Sequence, residues 1–444
     1  MNARRELLQL LRAGLESGFI LDWRVAGASH GWPGPALLAW ALRLRQRWRQ
    51  RLAPRSRIAV MLPNSPAFLA YWLAAWQGNW VFCPLPPLPE MELERRLRLL
   101  APQLMVLWQD GALREHWHPA AQPVADPEDL ASIFWTSASV GPGSAYGLGY
   151  DALLWQLQQH APALDLDRSS LVRNTLSWAH IFAGVLELLP AVAAGTELRV
   201  AALSEIRHES FTHLFTVPRI AQLLPNPSIS ALQGGIIGGA AVDASLAQRL
   251  LGSAVRVGYG QSEAGPGILL GEPGVFSVAY VGSRLPQTEL ELRESLRYRS
   301  PGRAMGRWNG QGWEDLEDAQ GWVDSGDRVV ALSDGHGFQW QGRIDAAFKL
   351  ADGRGVQPEN EELRLQAQYP DLEALILGAP GSRRLTALAS APPALWRRLR
   401  WHERYPLFLL PPEQWSVWQG ATGKIRRGDL YAHWRHILVQ ARRV

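Results

Sequence analysis

Two lysines stand against 43 arginines in this 444-residue chain, Lys349 and Lys424. An arginine serves wherever a generic positive charge is wanted, but it cannot enter a tight site as a compact ammonium. Those two positions are the first places to expect chemistry. Residues 136–144, Thr-Ser-Ala-Ser-Val-Gly-Pro-Gly-Ser, suggest a second kind. Small hydroxyl residues and glycines after an apolar run let backbone N–H groups approach a phosphate. The run lacks the Gly-Lys-Ser/Thr ending of a Walker A loop, and read alone it also fits a plain loop.

Gly258-Tyr-Gly-Gln-Ser-Glu263 places a ring among glycines and a carboxylate after a hydroxyl. The ring offers a stacking surface, and the carboxylate suits a magnesium–phosphate contact. Gly260-Gln-Ser262 could begin a nucleophile elbow, but its closing glycine is replaced by Ala264, which disfavours a serine hydrolase. Ser325-Gly-Asp327 sets a carboxylate at a tight turn. There it can take both hydroxyls of a ribose or bond its own backbone. Gly342-Arg-Ile-Asp345 follows, then Lys349, and Gly423-Lys-Ile-Arg426 puts the second lysine after a glycine. His116/His118 and His433/His436 have no third ligand near them in sequence, so metal binding is not expected there. His180, flanked by apolar residues, also reads as a satisfied core histidine.

Such groups need rigid elements to hold them. Residues 36–51, 66–77 and 91–100 read as helices, interleaved with short apolar strands at 57–62, 80–84 and 104–108. An apolar run at 130–135 leads into the glycine–serine loop, a helix follows from Asp151, and further runs lie at 214–217, 235–237 and 255–257. Repeated strand–helix alternation predicts parallel sheets flanked by helices. From about residue 288 the pattern turns antiparallel at 289–299, 328–332 and 337–341, with Asp334-Gly335 as a hairpin turn. The last ~100 residues read as a small α+β unit.

Composition narrows the class. With 47% hydrophobic and 19% charged residues, the chain is too apolar for disorder and long enough for a sizeable core. Its net charge of +4 is small for this size, and the densest arginine cluster, 43–57, alternates with Leu and Trp as a solvated helix does. Nucleic-acid binding is therefore not expected. No run reaches the ~18 apolar residues of a membrane span, and Arg12 and Glu16 interrupt what would be a leader's apolar stretch. The single cysteine, Cys83, allows no internal disulfide. A cytoplasmic protein without a membrane span is expected.

Taken in order, these segments resemble the adenylate-forming superfamily of acyl- and aryl-CoA synthetases, adenylation domains and luciferases. The resemblance runs from about residue 30 to 435. It rests on the loop 136–144, the histidine segment 177–190, Gly238-Gly239-Ala240, Tyr259–Glu263, Ser325–Asp327, Gly342–Asp345, Lys349 with Gly353 and Pro358, and Gly423–Arg427. It implies a large α/β domain over residues 1–343, with parallel-rich sheets flanked by helices and a small β-barrel-like part. A smaller mobile α+β domain over residues 344–444 would carry the catalytic lysine.

The resemblance also implies ATP-dependent activation of a carboxylic acid to an acyl-adenylate, then transfer to the thiol of CoA or of an acyl carrier protein. Carried over residue by residue, Lys424, Glu263 and His180 are the catalytic expectations, Lys424 bridging the acid and the α-phosphate and Glu263 holding Mg2+. Thr136, Ser137, Ser139, Gly141, Tyr259, Ser262, Asp327 and Arg343 would bind ATP, with Tyr259 on adenine and Asp327 and Arg343 on ribose. Trp178, His180, Gly238, Gly239, Ala240 and Gly260 would line the acid pocket. Asp345 would be the hinge, and Lys349 and Gly353 would flank the thiol entrance. Three departures stand out: the loop has Ser144 where the family has lysine, Ala138 and Val140 replace a glycine and a hydroxyl residue, and Asn360 replaces a glutamate. No aspartate between Ser177 and Phe182 awaits an α-amino group, which favours an aryl acid and leaves a fatty acid open. A non-catalytic acyl- or carrier-binding member, and adenylate transfer to an amine, are the alternatives.

Overall fold

A computed structural model describes residues 2–25, 27–118, 126–136, 143–353, 355–369, 374–378, 385–390, 406–411, 414–415, 417–418 and 425–443. Among them, one sheet of eleven strands begins with the hairpin Ile20–Val25/Ala28–Pro33. It then runs through five parallel strands, Glu197–Val200, Leu171–Asn174, His213–Thr216, Gly234–Gly238 and Arg256–Tyr259. Its far end is antiparallel, through Leu269–Leu270, Tyr280–Arg284, Phe338–Arg343 and Asp327–Ala331. A second sheet of eight strands has Val81–Pro84, Arg57–Met61 and Leu104–Gln109 parallel at its centre, with Leu130–Trp135 and Ala145–Gly149 beside them.

Helices lie between the two sheets. Pro66–Gln77 shows why: proline opens it, the Ser65 hydroxyl caps it by accepting from the Phe68 N–H at 3.2 Å, and nearly every side chain is apolar. A helix that is apolar all round must be buried on all sides. Its Phe68 and Trp72 rings meet Phe82 and Phe134 of the eight-stranded sheet at centroid separations of 5.0–6.1 Å. One apolar cluster joins these rings to Leu21, Val172, Leu198, Phe215 and Ile236 of the other sheet. Both sheets therefore share a single core.

The expected helices and strands are present, with ends moved by one to three residues: helices Gly34–Trp48 and Glu90–Leu100, strands Leu104–Gln109 and His213–Thr216. The run 289–299 is corrected to two strands, Glu289–Leu292 and Leu296–Arg299, paired with each other and with Val323–Asp324. This three-stranded sheet shares an apolar cluster of Leu296, Tyr298 and Val323 with Leu269, Val281 and Val329 of the large sheet's antiparallel end. Past Arg343 come a short hairpin, Phe348–Lys349 with Gly355–Val356, and the helix Pro358–Gln368. A four-stranded sheet and two terminal helices, Arg427–Ala432 and Trp434–Gln440, complete the described residues. The mixed α/β class with a large multi-sheet part stands as the sequence led one to expect.

Candidate active site

Ligands in α/β sheets settle outside the carboxyl ends of parallel strands, and those ends carry most of the expected residues. Gly238 ends one strand and Tyr259 ends its neighbour, with Gly238 registered against Gly258. Gly260 follows at a point of close approach: a Cβ there would lie 1.7 Å from the Pro266 carbonyl oxygen, so no larger residue fits. The chain then doubles back through Gly265–Pro266, joined by a cis peptide bond.

Asp327 is reached from the antiparallel end. Its turn depends on Gly326, which has φ of +66° and against which the Arg343 guanidinium packs. Asp327 is 4% exposed. One of its oxygens, Oδ2, accepts from the Tyr259 hydroxyl at 2.7 Å and the Gln261 amide at 2.6 Å. The same amide donates to the Ser325 carbonyl at 2.8 Å, and Arg343 Nη1 donates to that carbonyl at 3.1 Å. The other oxygen, Oδ1, is buried with no hydrogen-bond partner and has Arg343 Nη1 at 3.7 Å. A buried carboxylate oxygen left open is costly, and it is the acceptor a vicinal diol would satisfy. Burial, and then the Asp327 charge, push the Tyr259 hydroxyl well above its ordinary pKa, so it stays protonated as a donor.

Glu263, expected to hold a metal, accepts from the Tyr146 hydroxyl at 2.6 Å through Oε1. Burial first, and Glu263 second, raise the Tyr146 pKa above its ordinary value. Thr136 closes the neck of the glycine–serine loop: its N–H donates to the Ser144 carbonyl and its hydroxyl accepts from the Ser144 N–H, each at 2.9 Å. Ser137, Ser139 and Gly141, and likewise Gly423 and Lys424, lie outside the described residues.

The histidine segment is organised by a buried polar network. Trp178 is wholly buried, with its indole N–H donating to Glu187 Oε1 at 2.9 Å and its ring 5.7 Å from that of Phe68. It therefore backs the segment from inside the core. Asn64 ties the segment to the helical layer, donating to Asn174 Oδ1 and the Leu176 carbonyl at 2.7 Å and accepting from the Trp178 N–H at 2.9 Å. His180 is half-buried, and burial, followed by the positive charge of Arg96, holds its pKa below the ordinary value. Among the described residues, no hydrogen bond or ion pair connects His180 to the Tyr259–Asp327 group.

Asp345 pairs with Arg343 through two contacts of 3.0 Å at the corner where the large sheet ends. Glu359 and Gln357, at the start of the next helix, grip the Arg343 backbone N–H and carbonyl at 2.6 and 2.9 Å. Asn360, the departure from the family pattern, donates to Gln341 at 3.2 Å. Lys349 is exposed on the hairpin beyond, and Gly353 turns with φ of +86°. Three contributors escaped the sequence reading. Gln261 stood inside a quoted motif, and its polarity between glycine and serine was the available signal. Tyr146 is 117 residues from Glu263, and Arg96 is 84 residues from His180; only the tertiary fold brings such groups together.

A family model described as "AMP-binding enzyme" matches residues 38–307. Curated relatives include a feruloyl-CoA synthase of Amycolatopsis, 27% identical over 74% of this chain and 77% of its own length. A 2-succinylbenzoate–CoA ligase of Escherichia coli is 27% identical over 74% of this chain and 75% of its own. Among solved structures, ATP-bound MatB from Rhodopseudomonas palustris superposes with a TM-score of 0.80 at 17% identity, covering 99% of this chain and 100% of that one. E. coli MenE with bound OSB-AMS gives 0.72 at 23% identity, covering 91% and 95%. These structural likenesses concern the fold.

Proposed function

The chain belongs to the AMP-binding enzyme family, and from that membership we propose that it is an AMP-forming acid–thiol ligase working through an acyl-adenylate. The carrying observation is Asp327, with one oxygen held by Tyr259 and Gln261 and the other buried and open. That arrangement suits the two hydroxyls of a ribose, with Arg343 completing the cradle. Tyr259, its hydroxyl tethered to Asp327, has a fixed ring orientation on which adenine stacks. Glu263 leaves its second oxygen for Mg2+, while Ser262 and the residues of the 136–144 loop meet the phosphates. Mg2+, when bound, shields triphosphate charge.

Catalysis then lies in positioning and charge stabilisation. The carboxylate of the acid attacks the α-phosphorus and pyrophosphate leaves. Lys424 bridges the two anions as their charges approach. A thiol next attacks the acyl carbon, and AMP departs. Residues 1–343 form the acid- and ATP-binding domain. Residues 344–444 form the smaller one, turning at Asp345 so that Lys349 and Gly353 come to flank the thiol's entrance.

His180, kept neutral, faces the acid, with Gly238, Gly239, Ala240 and Gly260 leaving room for a bulky group. The relatives named for feruloyl and 2-succinylbenzoate acids favour an aryl acid, and their CoA products favour CoA over a carrier protein. One observation favours the non-catalytic alternative: the 136–144 loop contains no cationic side chain. Pyrophosphate exchange with a panel of aryl and fatty acids decides between the two. Exchange with at least one acid is expected, falling by ~1,000-fold in Lys424→Ala at unchanged thermal stability. No exchange with any acid, together with no ATP binding by calorimetry, removes the enzymatic reading.

A further inference from the structure

The chain carries 43 arginines, and among the described residues they pair with Asp22, Asp126, Glu92, Glu209 and Glu362. Glu263 is different. It is half-buried, yet among those residues it makes no ion pair, and its Oε1 accepts from a neutral donor, the Tyr146 hydroxyl, at 2.6 Å. Its Oε2 makes no hydrogen bond among them. Arg307, directly across from Tyr146 on the neighbouring strand, is engaged with Glu314 at 2.7 Å instead.

Both ends of the Tyr146–Glu263 hydrogen bond are anchored. Tyr146 is 5% exposed on the strand Ala145–Gly149, registered against Phe134 on one side and Arg307 on the other. Interior strands of this kind open only with much of the fold. The Glu263 backbone carbonyl accepts from the Ala304 N–H at 2.9 Å, and the Met305 N–H donates to the Gly147 carbonyl at 2.8 Å. Adjacent residues thus tie the glutamate's backbone to the tyrosine's strand. The glutamate side chain has several rotatable bonds, and ordering them costs conformational entropy, which the Tyr146 hydroxyl offsets. The Glu263 charge also reaches the group around Asp327: the Arg343 pKa is raised first by Asp345, then by Asp327 and less by Glu263.

We propose that Tyr146 is a positioning residue: by holding Oε1 it pre-sets the Glu263 carboxylate to take Mg2+ through Oε2 when Mg2+–ATP binds. A neutral phenol suits this task, because its single O–H donor restrains the carboxylate and leaves the negative charge for the metal. An arginine in its place would compete with the cation. Mg2+ demands near-octahedral geometry and is held through one or two carboxylates plus substrate phosphates. A carboxylate fixed in advance therefore binds it at a smaller entropic cost. The inference rests on the ATP and Mg2+ reading of the preceding section, and the test separates the two.

Calorimetry on the full chain compares ATP in excess Mg2+ with ATP in excess EDTA. The unaltered protein should bind ATP more tightly with Mg2+. Tyr146→Phe removes one hydroxyl and keeps the ring. It should weaken Mg2+–ATP by about 10-fold and leave ATP in EDTA within about twofold, which also shows that the cleft still folds. Glu263→Gln should abolish the Mg2+ advantage, and adding Tyr146→Phe to it should change nothing further. Unaltered Mg2+–ATP affinity in Tyr146→Phe would overturn the proposal, while the Glu263→Gln result keeps the metal reading. Equal losses with and without Mg2+, or an undiminished loss in the Glu263→Gln background, would overturn it too, since Tyr146 would then merely support the cleft. A Mg2+ advantage untouched by Glu263→Gln would remove the metal reading of Glu263, and this inference with it.

Discussion

Glu187 is wholly buried, and its Oε2 has no hydrogen-bond partner. Burial pushes its pKa up to about 8, against the opposing pull of the Trp178 and Asn174 donors. A carboxyl whose folded pKa is raised binds protons in the folded state that the unfolded chain has released. Its contribution to stability is whole below about pH 4.5 and is lost as pH rises towards 8. His160 has the opposite sign: burial drives its pKa down to about 4 from 6.5, so stability is lost as pH falls through that interval. Between pH 6.5 and 8 the Glu187 slope is therefore unopposed by His160. Glu187→Gln should flatten the fall of the urea midpoint over that range and raise stability at pH 8, by up to about 1.4 kcal/mol per pH unit of slope removed. A variant with the same pH profile as the parent would show that Glu187 ionises freely. Nothing in the sequence marked this residue beyond a charge inside an apolar run, whereas Tyr259 and Asp327 were marked by their motifs.

At the scale of elements, the run around Glu187 was legible as apolar but not in its form. Phe182–Leu188 is a π-helix that passes into the α-helix Leu189–Ala194. Pro190 has no N–H for the carbonyl four residues earlier, and a widened turn lets the chain absorb that loss. The helix Pro66–Gln77 and the strand Leu130–Trp135 were read to the residue, because capping and apolar runs are local signals. The register joining Gly238 to Gly258 was not legible, since it depends on partners outside either strand. The Arg427 guanidinium shows a comparable long-range tie: it donates to both oxygens of Glu362, on Pro358–Gln368, at 2.8 and 2.5 Å. Burial pulls its pKa down, but the Glu362 carboxylate outweighs that and leaves the arginine charged, with its pKa raised. Glu362→Gln should destabilise this region by about 3 kcal/mol, because one charge of a largely buried pair is left without its partner. Hydrogen exchange should register the loss in the helices after residue 357 and leave the strands flanking Tyr259 protected. Equal loss everywhere would mean that the chain unfolds as one unit.

In the whole molecule, the chain leaves the large sheet at Arg343 and immediately forms the exposed pair with Asp345. An ion pair at that exposure contributes little to stability, so it does not by itself lock the corner proposed as the hinge. Asp345→Pro should stiffen the corner. Pyrophosphate exchange should stay within about threefold, while thioester formation falls by at least about 10-fold; parallel losses in both would deny the corner a role in the second step. Sequence alone determined the α/β class, the positions of the strand-end glycines and the motifs that make up the candidate site, because periodicity, turn chemistry and motif spacing are properties of contiguous residues. Tertiary structure decided that Gln261 and Tyr259 share one oxygen of Asp327, that Tyr146 meets Glu263, and that Arg96 stands beside Gly143, 47 residues further on. Those contacts arise when two sheets close on a common core, and no local pattern encodes which distant side chain that closure will deliver.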